Sequence, residues 1–513
     1  MLRKHAVSVP VVAAGDNLDF FPVGPLFRRA GAFFIRRNFK GDRLYTAVVD
    51  AYVRRLLRDG FAIEFFLEGG RSRTGKLLPP MLGLLNMLVD AALGLEGRTV
   101  SFVPVSIGYE RMMEEGSYAR ELSGGEKRKE DAAALLKIGE LLREKYGRAN
   151  VQFGKVIDLD ELRTSMGLGT DLLPARRRSL VTRLAHQAMS EINRVTAVTP
   201  GSLVATVLLC HPGRGIAHLA LVEQCARLAR LVRRLGARTS PSLMRGAELR
   251  EQSIRDAATV YVRGGLIRQH VPGDTLTGKA RRRARIYTGD DVIYTVPDDQ
   301  RLMLDLSKNM IVHLFADRAL IAVAFRSLLG GGNEAQPLAA LRDRVQSLSR
   351  LFKLEFMFRA DAGFERIFEE TLNDMDASGE LSRGADPGGS VRIGPGHDGL
   401  DGRGWLAFYA AVLTNFLESY RIAARAARVL LRGEMAEKDL FARALQVGEQ
   451  MFLGGEVERS EAVSRPVIAN AFAAFVQQGY LTRSAGNLSL AASFATEETA
   501  QAIEAKVVGY LRG

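Results

Sequence analysis

Over its first 200 residues the chain alternates short apolar runs with stretches of helical period, and this limits the possible folds more than any other feature. Phe33-Phe34-Ile35, Ala62 to Leu67, Val100 to Ile107 and Val151 to Ile157 have strand length and are bounded by charge or glycine. Between them, Leu44 to Arg58 and Gly83 to Leu95 carry apolar residues three and four apart, the spacing of one helix face. Strand-helix-strand order predicts an α/β layer: a largely parallel sheet with flanking helices. Ser179 to Thr196 reads as a helix closing the unit, and Thr199-Pro200-Gly201 as its boundary, so residues 1–200 form one α/β domain.

Residues 201–377 read as mostly helical. Leu219 to Leu235 and Leu338 to Met357 keep the helical spacing, whereas Ala280 to Tyr294 is more strand-like. Ser378 to Gly404 holds nine glycines and two prolines, which predicts a flexible linker or exposed loop. Residues 405–513 return to a helical pattern with no internal repeat. The expected architecture is therefore an α/β domain followed by a mostly helical C-terminal region.

Composition narrows the function classes. A chain of 513 residues with 47% hydrophobic and 25% charged content is neither a disordered tail, a collagen-like fibre nor a multi-span membrane protein. Its two cysteines, Cys210 and Cys225, form no disulfide framework or metal spacing, which points to a reducing compartment. Nor does any His, Cys or carboxylate cluster have the spacing of metal ligands. The 71 lysines and arginines outnumber 58 aspartates and glutamates, for a net charge of +13. Such a surface suits nucleic acid, anionic lipid or phosphorylated small molecules, and charge alone does not choose among them. A nucleic-acid binder would need a recognisable motif or a basic-aromatic groove, and neither is evident.

No segment reaches the roughly 18 uninterrupted apolar residues of a spanning helix. The nearest, Met310 to Leu329, is broken by His313, Asp317, Arg318 and Arg326. The N-terminal MLRKHAVSVPVVAAGDNLDFF has the basic start and apolar run of a secretory leader, but Pro10 interrupts it and folded-looking sequence follows. Membrane association is expected to be peripheral.

The stretch that carries chemistry is Phe65 to Pro80, FFLEGGRSRTGKLLPP. A buried strand runs into Glu68, two glycines, and then Arg71, Ser72, Arg73 and Lys76. Gly69 and Gly70 let the backbone approach a ligand closely. A strand end opening into a loop places these side chains at a sheet edge, where ligands bind in α/β folds. Arginine forks match phosphate oxygens in pairs, so three cations within six residues make an anion site. It is not a Walker A loop, because Lys76 is followed by Leu77 rather than Ser or Thr.

A second basic spot, Phe33-Phe34-Ile35-Arg36-Arg37, ends a strand in two cations. By itself it reads as a solvated strand end. A third segment, FVPVSIGYE from Phe102 to Glu110, sets Pro104 in an apolar run, the mark of an edge or bulge.

Taken in order, Gly31-Ala32-Phe33-Phe34-Ile35-Arg36-Arg37, Phe66-Leu67-Glu68-Gly69-Gly70-Arg71-Ser72-Arg73-Thr74-Gly75-Lys76 and Val103-Pro104-Val105-Ser106-Ile107-Gly108-Tyr109-Glu110 resemble three motifs of the glycerol-3-phosphate acyltransferases, close to the bacterial membrane-associated type. Gly15-Asp16-Asn17-Leu18 and Phe21-Pro22-Val23-Gly24-Pro25 resemble the sequence just before the arginine motif. The motifs cover about residues 15 to 110, and the helical remainder resembles the family's long C-terminal region more loosely.

The resemblance implies acyl transfer from acyl-CoA or acyl-carrier protein, as co-substrate, to the 1-hydroxyl of glycerol 3-phosphate. The product would be lysophosphatidic acid, a step of phospholipid biosynthesis, with no metal or other cofactor. It implies that Arg36 and Arg37, preceded by Gly31, help hold the phosphate. Glu68, Gly69, Gly70, Arg71 and Ser72 would form the acceptor pocket, with Arg73 and Lys76 adding charge, and Pro104 would shape the acyl-donor side. The expected location is the cytoplasmic face of the inner membrane, as a peripheral protein on anionic lipid. Dihydroxyacetone phosphate is the alternative acceptor, although Gly69-Gly70 resembles the glycerol-3-phosphate group.

The sequence departs from the family in one respect. The family's first motif is His-x-x-x-x-Asp, whose histidine is the general base and whose aspartate orients it. No histidine here has an aspartate five residues on. His186 and His218 are followed at that spacing by Glu191 and Glu223, and both lie downstream, in the wrong order. His5 is followed by Pro10 and sits too close to Gly15. No catalytic residue is therefore assigned. The expectation is a chain whose start lies just after the catalytic motif; the alternative is a catalytically silent homologue that binds phosphorylated substrate and membrane.

Overall fold

In a computed structural model the described residues are 8–36, 41–68, 70, 72, 74–109, 149–169, 172–271, 289–329, 335–357, 359, 362–384 and 389–512. A three-stranded parallel sheet organises the N-terminal part. Strand β1 (Val11–Gly15) lies between β2 (Ala32–Ile35) and β3 (Ile63–Glu64). Helix α1 (Val23–Arg29) joins β1 to β2, and α2 (Arg43–Arg58) joins β2 to β3, since parallel neighbours need a crossover. The Asp42 side chain caps α2 by accepting from the Tyr45 N–H at 3.0 Å. Val49, Val53 and Leu56, spaced for one face, are the buried residues of α2. Val49 and Val53 pack with Leu88 and Ala91 of α3 (Leu82–Leu93).

The central strand was not legible as such. Val11–Gly15, weighed above only as the apolar run of a leader-like segment, pairs on both sides. The run Val100 to Ile107 is two strands, β4 (Ser101–Phe102) and β5 (Val105–Tyr109), because Pro104 has no N–H to give a ladder. Val151 to Ile157 likewise divides into β6 (Ala149–Phe153) and β7 (Ile157–Asp158). These strands pair antiparallel, β4 with β7 and β5 with β6, so the parallel part among the described residues is three strands. After α4 (Leu159–Ser165), helix α5 (Pro174–Val195) closes the unit, packing Leu180, Val181, Leu184 and Ala188 in one core with Leu85 and Val89 of α3.

Thr199-Pro200-Gly201 opens the helical region and is buried. Thr199 and Ser202 form a reciprocal capping box at the start of α6 (Pro200–Cys210), a helix buried along its whole length. There follow α7 (His218–Arg234), α8 (Glu251–Arg263), α9 (Asp298–Asn309), α10 (Ala316–Leu328), α11 (Leu338–Leu351) and α12 (Phe364–Ala377). The last four are α13 (Gly402–Ala427), α14 (Glu437–Leu453), α15 (Arg465–Gln477) and α16 (Glu497–Leu511). One contiguous apolar cluster runs from Val198 to Tyr510, so residues 201–377 and 405–513 share a single core. At its centre α13 packs against α6, α10, α14, α15 and α16.

Two expectations for this region have different outcomes. Of the strand-like stretch Ala280 to Tyr294, residues 280–288 lie outside the described residues, and the strand there is Ile293–Thr295. The glycine-rich Ser378 to Gly404 is not a linker in its described part. Leu381–Arg383 and Ser390–Ile393 pair antiparallel and join Gln336–Pro337 in a sheet, with Leu381 and Val391 buried. Glycine serves close packing here: a Cβ at Gly394 would lie 2.2 Å from the Gly379 carbonyl oxygen. The final helices also enclose a three-stranded sheet, Met435–Ala436, Leu481–Ser484 and Asn487–Leu490, that helical periodicity does not reveal.

Leu413, fully buried on α13, should cost about 2–5 kcal/mol when cut to alanine, by lost burial plus the cavity left behind. The chain's single tryptophan, Trp405, lies on the same helix, so its fluorescence in a urea titration reports that loss directly.

Candidate functional site

The carboxyl ends of the three parallel strands lie at one edge of the sheet. Gly15 pairs with Ile35, so Asp16 and Arg36 leave the sheet at the same level. β3 leaves the ladder after Glu64, and the chain continues through Phe65 to Glu68 and the loop beyond. Open parallel sheets bind ligands at this edge. The edge therefore brings Arg36 and Glu68 to the same end of the sheet.

Gly31 has a φ of +97°, a backbone conformation that favours glycine, at the turn from α1 into β2. Its carbonyl accepts from the Val12 N–H at 3.0 Å, tying the turn to the central strand. Arg36 projects from the end of β2 with 56% of its side chain exposed. It is held at 3.3 Å from Asp42 and 4.5 Å above the Tyr45 ring, while its N–H donates to the Tyr45 hydroxyl at 3.0 Å. The guanidinium is thus oriented yet open to solvent. Arg37, Gly69, Arg71 and Arg73 lie outside the described residues.

The loop after β3 is braced from within. The Glu68 carboxylate accepts from the Leu78 N–H at 2.9 Å, and the Leu67 carbonyl accepts from the Met81 N–H at 2.7 Å. Burial pushes the Glu68 carboxyl up from its ordinary value, and the bond from Leu78 pulls the other way. The Ser72 hydroxyl donates to the Lys76 carbonyl. Gly70 faces open space, with nothing within 4 Å of where a Cβ would stand.

Lys76 requires a correction. It is not an open cation for a substrate phosphate but is buried in the helical region, where its Nζ donates to the buried carboxylate of Glu355. That Nζ also sits 4.3 Å from the Phe416 ring centre and 5.4 Å from that of Phe356. The reason is desolvation: an ammonium enters a core only with a charge partner and satisfied donors. Glu355 accepts a second bond from the Tyr420 hydroxyl at 3.2 Å, and burial with this neighbouring carboxylate raises the Tyr420 hydroxyl well above its ordinary value.

Beside this pair lies a second buried polar group, from α9 and α13. Lys308 binds Asp305 at 2.8 Å and the Asn415 side-chain oxygen at 2.9 Å. The Asn309 side chain donates to Asp305 at 2.7 Å and to the Thr74 carbonyl at 2.9 Å. Between Thr74 and Lys76, Gly75 has a φ of +80°, and a Cβ there would lie 2.1 Å from the Leu306 carbonyl oxygen. Sequence reading missed Asn309, Glu355 and Asn415; for Asn415 the available signal was a polar residue inside an otherwise apolar helix, as in Leu413-Thr414-Asn415-Phe416-Leu417-Glu418.

Pro104 is buried between β4 and β5, and its carbonyl accepts from the Gly154 N–H at 2.7 Å. Beyond it β5 turns Ser106 and Gly108 inward and leaves Val105, Ile107 and Tyr109 exposed, with Phe153 of β6 also exposed. The Met310 side chain lies 3.9 Å from where a Gly108 Cβ would stand, so β5 and the Thr74–Lys76 turn meet the same end of α9. The described histidines offer no His-Asp dyad at the sheet edge: His218 bonds Tyr294, and His397 lies between Glu380 and Asp398 in the helical region. Among the described residues no group of three His, Cys, Asp or Glu could hold a metal ion, and no helix is long and apolar enough to cross a membrane.

Residues 118–484 match the family described as the glycerol-3-phosphate acyltransferase C-terminal region. The chain belongs to the glycerol-3-phosphate acyltransferase family. Residues 1–108 match the acyltransferase family. A glycerol-3-phosphate acyltransferase of Pasteurella multocida (strain Pm70) is 42% identical over 230 residues, 44% of this chain and 28% of that protein. That of Actinobacillus pleuropneumoniae serotype 5b (strain L20) is 40% identical over 232 residues, 44% of this chain and 28% of that protein. That of Xylella fastidiosa (strain M23) is 34% identical over 335 residues, 64% of this chain and 36% of that protein. The match thus covers roughly a third of the length of these curated relatives.

The two described glycines of this loop should separate cleanly in thermal unfolding. Gly75→Ala forces a Cβ against a backbone oxygen and should destabilise by about 1–3 kcal/mol or more. Gly70→Ala meets open space and should stay within about 0.5 kcal/mol of the parent.

Proposed function

We propose that this chain carries the acceptor site of an O-acyltransferase that moves an acyl group from an acyl-CoA or acyl-carrier-protein thioester to the 1-hydroxyl of glycerol 3-phosphate. The observation that carries the reading is that Glu68, which opens the Glu-Gly-Gly-Arg-Ser-Arg motif, and Arg36 follow strands at the carboxyl edge of the parallel sheet, with Glu68 braced by the Leu78 N–H. Family membership supports the same acceptor and the same product, lysophosphatidic acid.

In the proposed step the acceptor oxygen attacks the thioester carbonyl, the new ester C–O bond forms and the C–S bond breaks. The hydroxyl proton passes to a general base, and the thiolate leaves and is protonated. Arg36, Arg37, Arg71 and Arg73 would hold the phosphate, because guanidinium forks match its oxygens and fix the orientation of the attacking hydroxyl. Gly69 and Gly70 would let backbone N–H groups reach the ligand, with Glu68 and Ser72 fixing the loop. The exposed apolar row Val105, Ile107, Tyr109 and Phe153 beyond Pro104 would receive the acyl chain. The reading calls for no metal or prosthetic group, and it leaves the general base to be identified, since no His-x-x-x-x-Asp occurs in the chain. Peripheral contact with an anionic membrane, on its cytoplasmic face, would use the net charge of +13.

Arg71→Ala should raise the dissociation constant for glycerol 3-phosphate at least about tenfold in a calorimetric titration, the loss of a charge-assisted pair, while leaving unfolding cooperative. Unchanged affinity would overturn the pocket assignment.

A further inference from the structure

We infer that the helical body is the positioning device of the phosphate-binding loop, with Glu355 and Asn309 as positioning residues that act through Lys76 and Thr74. This rests on the acceptor-site reading above and goes further: it assigns a role in substrate binding to residues more than 200 positions away from the loop and outside every motif.

The loop is fixed at three consecutive residues. The Thr74 carbonyl accepts from Asn309, Gly75 passes so close to Leu306 that no Cβ fits, and Lys76 reaches Glu355 in the core. Both positioning residues are themselves held. Asn309 is oriented by Asp305, whose other partners are Lys308 and Asn415, and Glu355 by the Tyr420 hydroxyl. The anchored turn then pulls on the binding segment through the Ser72 hydroxyl on the Lys76 carbonyl and through the Glu68 carboxylate on the Leu78 N–H. Glu68 is thus held at the end of β3, and Lys76 by a buried ion pair. A phosphate site built from long arginines gains from such a clamp, because the entropy of fixing the loop is met before the ligand arrives.

The buried pair gives a test that separates position from direct contact. Removing one partner leaves a buried unpaired charge, whereas removing both does not. Lys76→Met and Glu355→Gln, each alone, should speed amide hydrogen exchange at Leu78 and Met81 and weaken glycerol 3-phosphate binding at least about tenfold. The double variant Lys76→Met/Glu355→Gln should be no weaker than the weaker single variant in either measurement, because both changes break the one contact through which Glu355 acts. Asn309→Ala, which leaves the pair intact, should loosen the same amides. Trp405 fluorescence checks that each variant keeps its helical core.

A double variant in which the two losses add would overturn the inference, because Glu355 would then not act through Lys76. So would a Glu355→Gln variant with parental exchange and affinity. If the parent chain binds no glycerol 3-phosphate, the acceptor-site reading fails, and the exchange measurements, made without ligand, still decide whether Glu355 and Asn309 hold the loop.

Discussion

The ion pair between Lys76 and Glu355 joins the two halves of the molecule at the place where its chemistry is expected. A short parallel sheet supplies an edge, and a large helical body supplies the support. Neither is sufficient alone: three strands with two crossover helices offer little core behind a loop of polar residues. The helical body has one contiguous core, and it receives an ammonium, a glycine turn and a carbonyl from the loop. The pair stabilises mainly by being complete, because a buried charge without its partner is costly.

This division of labour explains the arrangement of cations. Lys76 looks equivalent to its neighbours in sequence, as the last of three charges in six residues. In the fold its charge is spent inside, against Glu355, Phe356 and Phe416. Arg36, by contrast, is half exposed and oriented by Asp42 and Tyr45 at the open edge. Under the proposed function the exposed cation would face the ligand and the buried one would hold the frame.

Much of the N-terminal architecture was readable because local pattern decides it. Val49, Val53 and Leu56 on α2 follow helix spacing, and Ala32–Ile35 is a compact apolar run. β1 was missed because its five residues fall within the leader-like run that Pro10 interrupts, with no helical stretch before them to frame a strand. Pro104 signalled an irregular strand but not that its neighbours pair antiparallel with partners some 50 residues on. Ser378 to Gly404 misled because glycine marks both mobile loops and close backbone packing, and Gly394 and Gly402 belong to the second class. The role of Lys76 could not be read at all, since its partner lies 279 residues away. Of the candidate site, the motif order and the sheet edge were legible; the clamp that holds the loop was not.

The most direct test of the account is a crystal structure of the chain with glycerol 3-phosphate bound. The account predicts the phosphate at the carboxyl edge of the parallel sheet, against the backbone of Gly69 and Gly70 and within reach of Arg36 and Arg71, with Lys76 still paired to Glu355. A phosphate bound elsewhere, or one that draws Lys76 out of the core, would contradict it.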